Sequence, residues 1–242
     1  MLLLLGVLTE SVALAADIQL PGLSIELASE AGRTEVATAI KVLIGLTVLS
    51  LAPGILVMAT SFTRIIVVLA MLRQAFGTQE TPPNSVLISL ALFLTFFSMA
   101  PVIEKINSEA WGPWLAGQVT EEVAFQNAVD PIRSFMAAQT REKDIALMIE
   151  LSGSESPRSF SDVKMTHLIP AFMLSELKSA FQIGFVIFLP FLLIDLVVAS
   201  VLMSMGMLMV PPMMISMPVK VLMFVLIDGW NLVVRSLLGS FL

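Results

Sequence analysis

The 242-residue sequence contains no cysteine and a single histidine, His167, and both shortages limit its chemistry. Without cysteine the chain can form neither a disulfide nor a thiolate metal site. One histidine supplies too few ligands for a zinc or iron centre. The sequence also lacks a phosphate-binding P-loop, a glycine-rich dinucleotide turn and a Gly-x-Ser-x-Gly nucleophile turn. We therefore expect no metal, no cofactor and no enzymatic activity.

Charged residues are scarce as well. They make up 13% of the chain and hydrophobic residues 57%, whereas soluble domains have about 25% and about 45–50%. A soluble protein of this length would need more polar surface to cover its core. The excess apolar surface must face lipid or other apolar subunits. The net charge of −6 argues against a nucleic-acid partner.

The first residues are typical of an export signal. Residues 1–14 are apolar and nearly uncharged, and Ala13-Leu14-Ala15 fits the small-x-small rule before a cleavage point at Ala16. This apolar run is shorter than the ~20 residues that span a bilayer. We predict a signal peptide at 1–15 and an exported segment at 16–41. No Lys or Arg precedes the run, and the alternative is a membrane helix that stays attached.

Charge-free stretches predict the membrane helices. The first hairpin, residues 42–106, contains a helix from Val42 to Leu72 and, after a connection through Gly77 to Pro83, a second from Asn84 to Ile106. The fold class predicted is an all-α membrane protein, in which two long helical hairpins flank a mostly helical polar segment on the periplasmic side.

The second predicted hairpin, residues 181–242, is interrupted by prolines. Pro211 and Pro212 cannot continue a helix, and the residue before a proline is also driven out of helical conformation. We expect one helix over 181–208, a turn at 209–212 and a helix over 213–238.

The polar segment at 107–180 separates the hairpins. Asp130-Pro131 resembles a helix start, with the acid as N-cap and proline at the first helical position. A break is expected at Gly153 to Pro157 and a new helix from about Asp162. Export of the N-terminus places this segment outside the membrane, and the connection that holds Arg73 and the Met/Pro turn on the cytoplasmic side.

Ionisable residues within apolar stretches require partners. An isolated charge at the bilayer centre costs about 2.5–3.5 kcal/mol, so Arg64, Asp195, Lys220 and Asp228 are expected to be buried in pairs or between subunits. Asp195 and Asp228 lie at similar predicted depth and could form an aspartyl protease pair, although charges that position helices are the simpler interpretation. Lys220 lies roughly 8 Å off the level of Asp195, which favours pairing between neighbouring copies.

Methionines are concentrated in the turn of the second hairpin. Seven of the sixteen fall in residues 203–217, and Met203, Met205, Met207 and Met209 alternate strictly. Alternation is not one helix face, so either the end of the helix opens into a loop here or the helix presents methionine on all sides. Methionine fills irregular gaps, and copies around an axis could close a compressible seal with such loops.

Several long strings resemble one family. Residues 175–185, 189–203, 205–212 and 224–230, together with 61–65 and 72–78, are similar to the flagellar FliP family, whose injectisome counterparts are the SctR proteins. The resemblance covers residues 42–242.

The resemblance implies a core, pore-forming subunit of the type III protein export gate in the bacterial inner membrane. Its partners would be further copies of itself, five being expected, FliQ-like and FliR-like membrane proteins, other parts of the flagellar basal body, and the unfolded flagellar subunits that pass through. The cone that they form is expected to extend above the membrane on the periplasmic side. The alternatives are an injectisome gate subunit and a secondary transporter with ionisable groups near mid-membrane.

The resemblance also implies roles for particular residues. The family's methionine gasket falls on Met205, Met207, Leu208 and Met209, where Leu208 departs from its tighter methionine run. Pro211 and Pro212 would break the helix. Inter-subunit or buried charges would be Asp195, Lys220, Glu176, Arg141 and Arg64. Phe135 would line the outer channel.

Overall fold

The computed structural model describes residues 32–78, 80–153, 163–207 and 209–241. It divides the chain into two compact units at residues 50 and 51. The described residues form helices and no strand. The helices are α1 (Gly32–Ala59), α2 (Phe62–Phe76), α3 (Asn84–Ile106), a π-helical turn (Asn107–Trp111), α4 (Gly112–Leu115), α5 (Glu121–Gln139), α6 (Glu142–Ser152), α7 (Met165–Ser204), α8 (Pro212–Leu226) and α9 (Gly229–Gly239). The all-α fold is as predicted, and the predicted signal peptide lies outside the described residues.

The first hairpin contains a helix break that the sequence did not predict. We expected one helix over 42–72, but α1 ends at Ala59 and α2 begins at Phe62. The hydroxyl of Thr60 donates to the carbonyl of Leu56 at 2.6 Å and accepts from the amide of Phe62 at 3.3 Å. A hydroxyl that bonds the backbone in this way competes with the helical ladder. The bounds of α3 match the expected residues.

In the middle segment, the structure differs from the predicted helix start at Asp130-Pro131. Asp130-Pro131 does not begin a helix, because α5 begins nine residues earlier at Glu121 and continues through Pro131. Pro131 is buried, and packing of a continuous helix face outweighs the loss of one backbone hydrogen bond. Helix α6 ends at Gly153, whose φ of +63° suits glycine.

The second hairpin is longer and more broken than expected. Helix α7 runs for 40 residues from Met165 to Ser204 and includes two prolines. The connection to α8 therefore begins at residue 205 rather than 209. The expected helix over 213–238 is two helices, α8 and α9, bent by 68° at Ile227 and Asp228.

Two stretches of the described chain could cross a membrane as single helices. They are Asn84–Leu115 and Met165–Ser204, which contain 18-residue windows of mean hydropathy 2.4 and 2.7, respectively. Two bent helix pairs raise the number of candidate spans to at most four. At ~1.5 Å per residue, α7 is roughly 60 Å long, about twice the hydrocarbon thickness of a bilayer.

Helix α7 passes through two hydrophobic cores. One core packs α7 against α5 and α6 and contains Met136, Ile145 and Phe172. The other packs α7 against α2, α3, α8 and α9 and contains Leu69, Leu72, Phe76, Leu94, Phe191, Phe224 and Leu237. A Cβ added at Gly184 would lie 2.4 Å from the sulfur of Met71, so a larger residue here would displace the Met71 side chain where α2 crosses α7.

Candidate functional site

The methionine-rich connection between α7 and α8 begins with a closed helix end. The amide of Gly206 donates to the carbonyl of Met203 and that of Met207 to the carbonyl of Leu202, both at 3.0 Å. This pair of bonds, with φ of +74° at Gly206, is the Schellman arrangement, in which glycine ends a helix in left-handed conformation. The point at which α7 leaves helical geometry is therefore set by its own backbone.

The methionine side chains of this connection extend away from the chain. Met205 is 67% exposed, Met207 40% and Met209 94%. Leu208 lies outside the described residues. Beyond Pro211, which is extended, α8 starts with Pro212 at its first position, where the missing amide removes no helical bond. The three described methionines thus stand on a short loop between two fixed helix ends.

Lys220 fixes the two helices that carry this loop. Its Nζ donates to Oδ2 of Asp195 on α7 at 2.6 Å and to the carbonyl of Ala75 in the last turn of α2 at 3.0 Å. The lysine is 3% exposed. Because the last carbonyls of a helix carry partial negative charge, the ammonium is attracted to both acceptors and joins α2, α7 and α8.

This pairing corrects the expected stagger. We expected Asp195 and Lys220 to pair better between copies, but the two contact each other within one chain. The reason is the longer connection: Asp195 lies nine positions before the end of α7 and Lys220 eight positions after the start of α8. The two groups are therefore at nearly the same level, and the roughly 8 Å offset does not exist.

A second ionic cluster lies at the other end of α2. Arg64 is 3% exposed and Glu176, on α7, is 0% exposed. The Nε of Arg64 donates to Oε2 of Glu176 at 2.9 Å, and Nη2 donates to Oε1 of the same carboxylate. The pair is bidentate, which is the strongest geometry for an arginine and a carboxylate.

Three further acceptors complete the arginine's partners. Nη1 donates to the carbonyl of Ser240 at 2.8 Å and to its hydroxyl at 2.9 Å, and Nη2 donates to Oε1 of Gln139 at 3.1 Å. The guanidinium carbon lies 3.9 Å from the ring centre of Phe241. All five N–H donors of a guanidinium thus have acceptors, and Arg64 ties α2 to α7, to the end of α5 and to the C-terminal residues.

The clusters hold α2 and α7 at two levels. Glu176 and Asp195 are 19 positions apart on α7, which corresponds to roughly 28 Å. The connection that follows α2 lies near the start of α8, beside the methionine-rich loop. A Cβ added at Gly77 in this connection would be 3.4 Å from Cε of Met213. The loop is therefore supported by a frame whose helices are fixed near both ends.

The other predicted site residues have internal contacts. Arg141 donates through its amide to the hydroxyl of Ser175 at 3.1 Å and through Nη2 to Oε1 of Gln182 at 2.6 Å. Phe135 packs edge to face on Phe172 and stacks on Phe241. It remains partly exposed, so its predicted place in a channel lining stays a prediction.

The hypothetical aspartyl pair does not form a site. Asp195 is paired with Lys220, while Asp228 is exposed at the bend between α8 and α9, with a left-handed φ of 53°. Within the described ranges, no group of three or more His, Asp or Glu side chains could hold a metal ion.

Sequence reasoning missed several members of these clusters. It marked Arg64 and Glu176 separately and did not pair them, and it passed over Gln139, Ser240 and Phe241. Gln139 ends α5 and Ser240 follows α9, and neither position carries a local signal. Only folding brings residues more than 100 positions apart to one guanidinium.

Much of the surface around this frame is apolar. On α7 the exposed large side chains include Val186, Leu193 and Leu196, and on α8 they include Met214, Leu222 and Val225. Exposed apolar side chains that cluster along whole helices in this way mark surfaces that contact lipid or other proteins. Together with the candidate spans, they define an all-helical membrane protein in which Arg64, Glu176 and Lys220 are buried charges that join helices.

Comparison with known proteins specifies the family. The FliP family model matches residues 45–237, and the chain belongs to the FliP family. It is 53% identical over 217 residues to the flagellar biosynthetic protein FliP of Bacillus subtilis, covering 90% of this chain and 98% of that protein. The protein of the same name from Pectobacterium carotovorum is 50% identical, covering 92% and 86%, and that from Caulobacter vibrioides 51%, covering 94% and 85%.

Proposed function

We propose that this chain is a pore-forming core subunit of the flagellar type III protein export gate. Several copies, five being expected, would surround a common axis and close it with residues Met205, Met207, Leu208 and Met209. The observation that carries this proposal is the exposure of three methionines, up to 94% for Met209, on a loop between helices that Lys220 holds together.

The physical basis of the seal is the methionine side chain. It is unbranched and polarizable and adapts to irregular surroundings. A ring of such side chains can close against itself, and it can also close around a passing unfolded chain without requiring a particular sequence. The gate needs no enzymatic step for this, and the energy for export would come from other components.

The apolar faces of α7 and α8 would be covered in the assembly. Their occupants would be further copies of this chain together with FliQ-like and FliR-like membrane proteins, with lipid on what remains. Phe135 would face the outer part of the channel. The ion pairs Arg64–Glu176 and Asp195–Lys220 would act inside each copy, keeping the loop at a fixed height, and Arg141 would brace α6 on α7.

The proposed location is the bacterial inner membrane within the flagellar basal body. A signal peptide at 1–15 would place the segment at 107–180 on the periplasmic side. Three relatives named as flagellar biosynthetic proteins, each about half identical to this chain, favour the flagellar gate over an injectisome gate.

The experiment is a conductance measurement on the closed gate. Replacing Met205, Met207 and Met209 together with alanine should leave assembly intact but make the membrane leak ions, because each truncation removes most of a side chain from the constriction. The matched control replaces the same three residues with leucine, which keeps the volume and should leave conductance at background. If the alanine variant assembles and its conductance also stays at background, the seal is formed elsewhere.

A further inference from the structure

The outward face of α9 carries an acid and a base that both lack a partner in the described chain. The buried face of this helix contains Gly229, Val233 and Leu237. On the opposite side Asp228 and Arg235 are exposed. Neither residue takes part in the ion pairs Arg64–Glu176 and Lys220–Asp195, and neither has an oppositely charged partner among the described residues.

The two charges cannot neutralise each other within one copy. They are seven positions apart, which is two helical turns and roughly 10.5 Å along α9. Arg235 lies on the face of α9 opposite Gly229, Val233 and Leu237, and Asp228 is exposed at the N-cap immediately before the helix. The face is thus negative at its start and positive near its end, and it is complementary to a second copy of itself.

The bend before α9 brings the two charges to similar heights along a common axis, so that neighbouring copies could pair them. Helix α9 is inclined by 68° to α8. If the common axis runs along α8, the 10.5 Å between the two charges corresponds to a height difference of only roughly 4 Å. An arginine side chain can bridge such a difference. The start of α9 in one copy can therefore meet the end of α9 in the next at nearly the same level.

Asp228 is suited to this position. Its φ of 53° is left-handed, a conformation that aspartate adopts more readily than most side chains. The bend therefore places a carboxylate, rather than a glycine, at the outer corner between α8 and α9.

We propose that α9 joins copies of this chain head to tail, through an ion pair between Asp228 of one copy and Arg235 of the next. The proposal rests on the assembly put forward above and adds the surface that sets its order. Because each copy offers one acid just before α9 and one base in the second half of α9, every copy can satisfy two neighbours, and the contact propagates until a ring closes.

Cysteine cross-linking of the purified full chain tests this contact directly, since the sequence contains no cysteine. The double variant Asp228→Cys/Arg235→Cys, oxidised with copper phenanthroline in detergent, should give a ladder that reaches the full oligomer on a non-reducing gel. Cysteines roughly 10.5 Å apart in one helix cannot bridge each other. The control Asp228→Cys/Ser236→Cys moves the second thiol about 100° around α9 and should give no ladder.

A charge test gives an independent reading if the cysteine variant does not fold. Arg235→Glu places two acids against each other and should reduce the oligomer fraction in light scattering. Adding Asp228→Asn, which removes one of the two charges and tolerates the left-handed backbone, should restore part of it. A structural role of Arg235 within its own copy would not be rescued in this way.

The outcomes separate this contact from the assembly itself. A ladder, or loss and partial rescue of the oligomer, supports head-to-tail pairing. Cross-linked dimers alone would show a twofold contact and overturn it. An intact oligomer with no cross-link and no effect of Arg235→Glu would overturn the α9 contact and leave the proposed gate standing. An unmodified chain that forms no oligomer would remove both.

Discussion

Removal of Arg64 should be more damaging than neutralisation of Glu176, although the two residues form one ion pair. The carboxylate of Glu176 is 0% exposed, and its hydrogen bonds in the described chain come from Arg64. Arg64→Met would leave this buried carboxylate without a partner. Breaking a buried pair in this way costs about 3–5 kcal/mol.

Glu176→Gln also leaves a buried charge without its counter-ion, but the remaining guanidinium keeps other hydrogen-bond acceptors, which the remaining carboxylate of Arg64→Met does not. The guanidinium would keep the carbonyl and hydroxyl of Ser240, the amide oxygen of Gln139 and the ring of Phe241. One amide oxygen replaces two carboxylate oxygens, so the loss is close to that of a charged hydrogen bond, about 1.5–3 kcal/mol. The free energy of unfolding should therefore fall by about 1–2 kcal/mol more for Arg64→Met.

The assay is unfolding of the full chain in detergent micelles by added dodecyl sulfate, followed by loss of helical circular dichroism. The double variant Arg64→Met/Glu176→Gln should be more stable than Arg64→Met alone, because it removes the unpaired charge. Arg64→Lys, which keeps the charge but cannot form the bidentate contact, should fall between wild type and Arg64→Met. Equal losses for Arg64→Met and Glu176→Gln, or a double variant no better than Arg64→Met, would refute the reasoning.

Two further predictions concern the frame and its loop. Lys220→Met should lower the free energy of unfolding by about 1–3 kcal/mol. This loss is smaller than that of Arg64→Met because Asp195 is partly exposed. Adding Asp195→Asn to Lys220→Met should recover part of the loss in the same unfolding assay; no recovery would mean that the carboxylate of Asp195 is not the important partner of Lys220. Gly206→Ala should lower the free energy of unfolding by about 1–2 kcal/mol, because φ is +74° at this residue. The control Gly45→Ala in α1, which has open space around it, should instead stabilise the helix by roughly 0.5–1 kcal/mol. Equal effects at both positions would contradict the Schellman ending of α7.

The helical class and the membrane character followed from composition and from charge-free stretches. The bounds of α3 also followed, because it lies between a proline-rich connection and a charged end. The alternation of Met203 to Met209 indicated that the helix could open in this region, but the helix was expected to continue to residue 208 and ends at Ser204. In each case the signal is local, and its physical cause lies within a few residues.

The helix breaks did not follow. Three residues show the reason. A threonine such as Thr60 rarely ends an apolar helix, a proline such as Pro131 usually does, and a single aspartate such as Asp228 predicts neither a break nor a continuous helix. The structure breaks at Thr60 and Asp228 and continues through Pro131. Which of these happens depends on what each segment packs against, and packing is not encoded at the position itself.

The sequence by itself determined that this chain is an apolar, helical membrane protein with a few costly charges and a methionine-rich turn. It also carried the strings that place it in its family. Only the tertiary structure decided how the charges are paired: Arg64 with Glu176, and Lys220 with Asp195 and the end of α2. The reason is that a charged residue in an apolar stretch predicts only that some partner exists, whereas the identity of that partner depends on helix register, turn length and the point where helices cross. These quantities are set jointly by contacts along the whole of α2, α7 and α8.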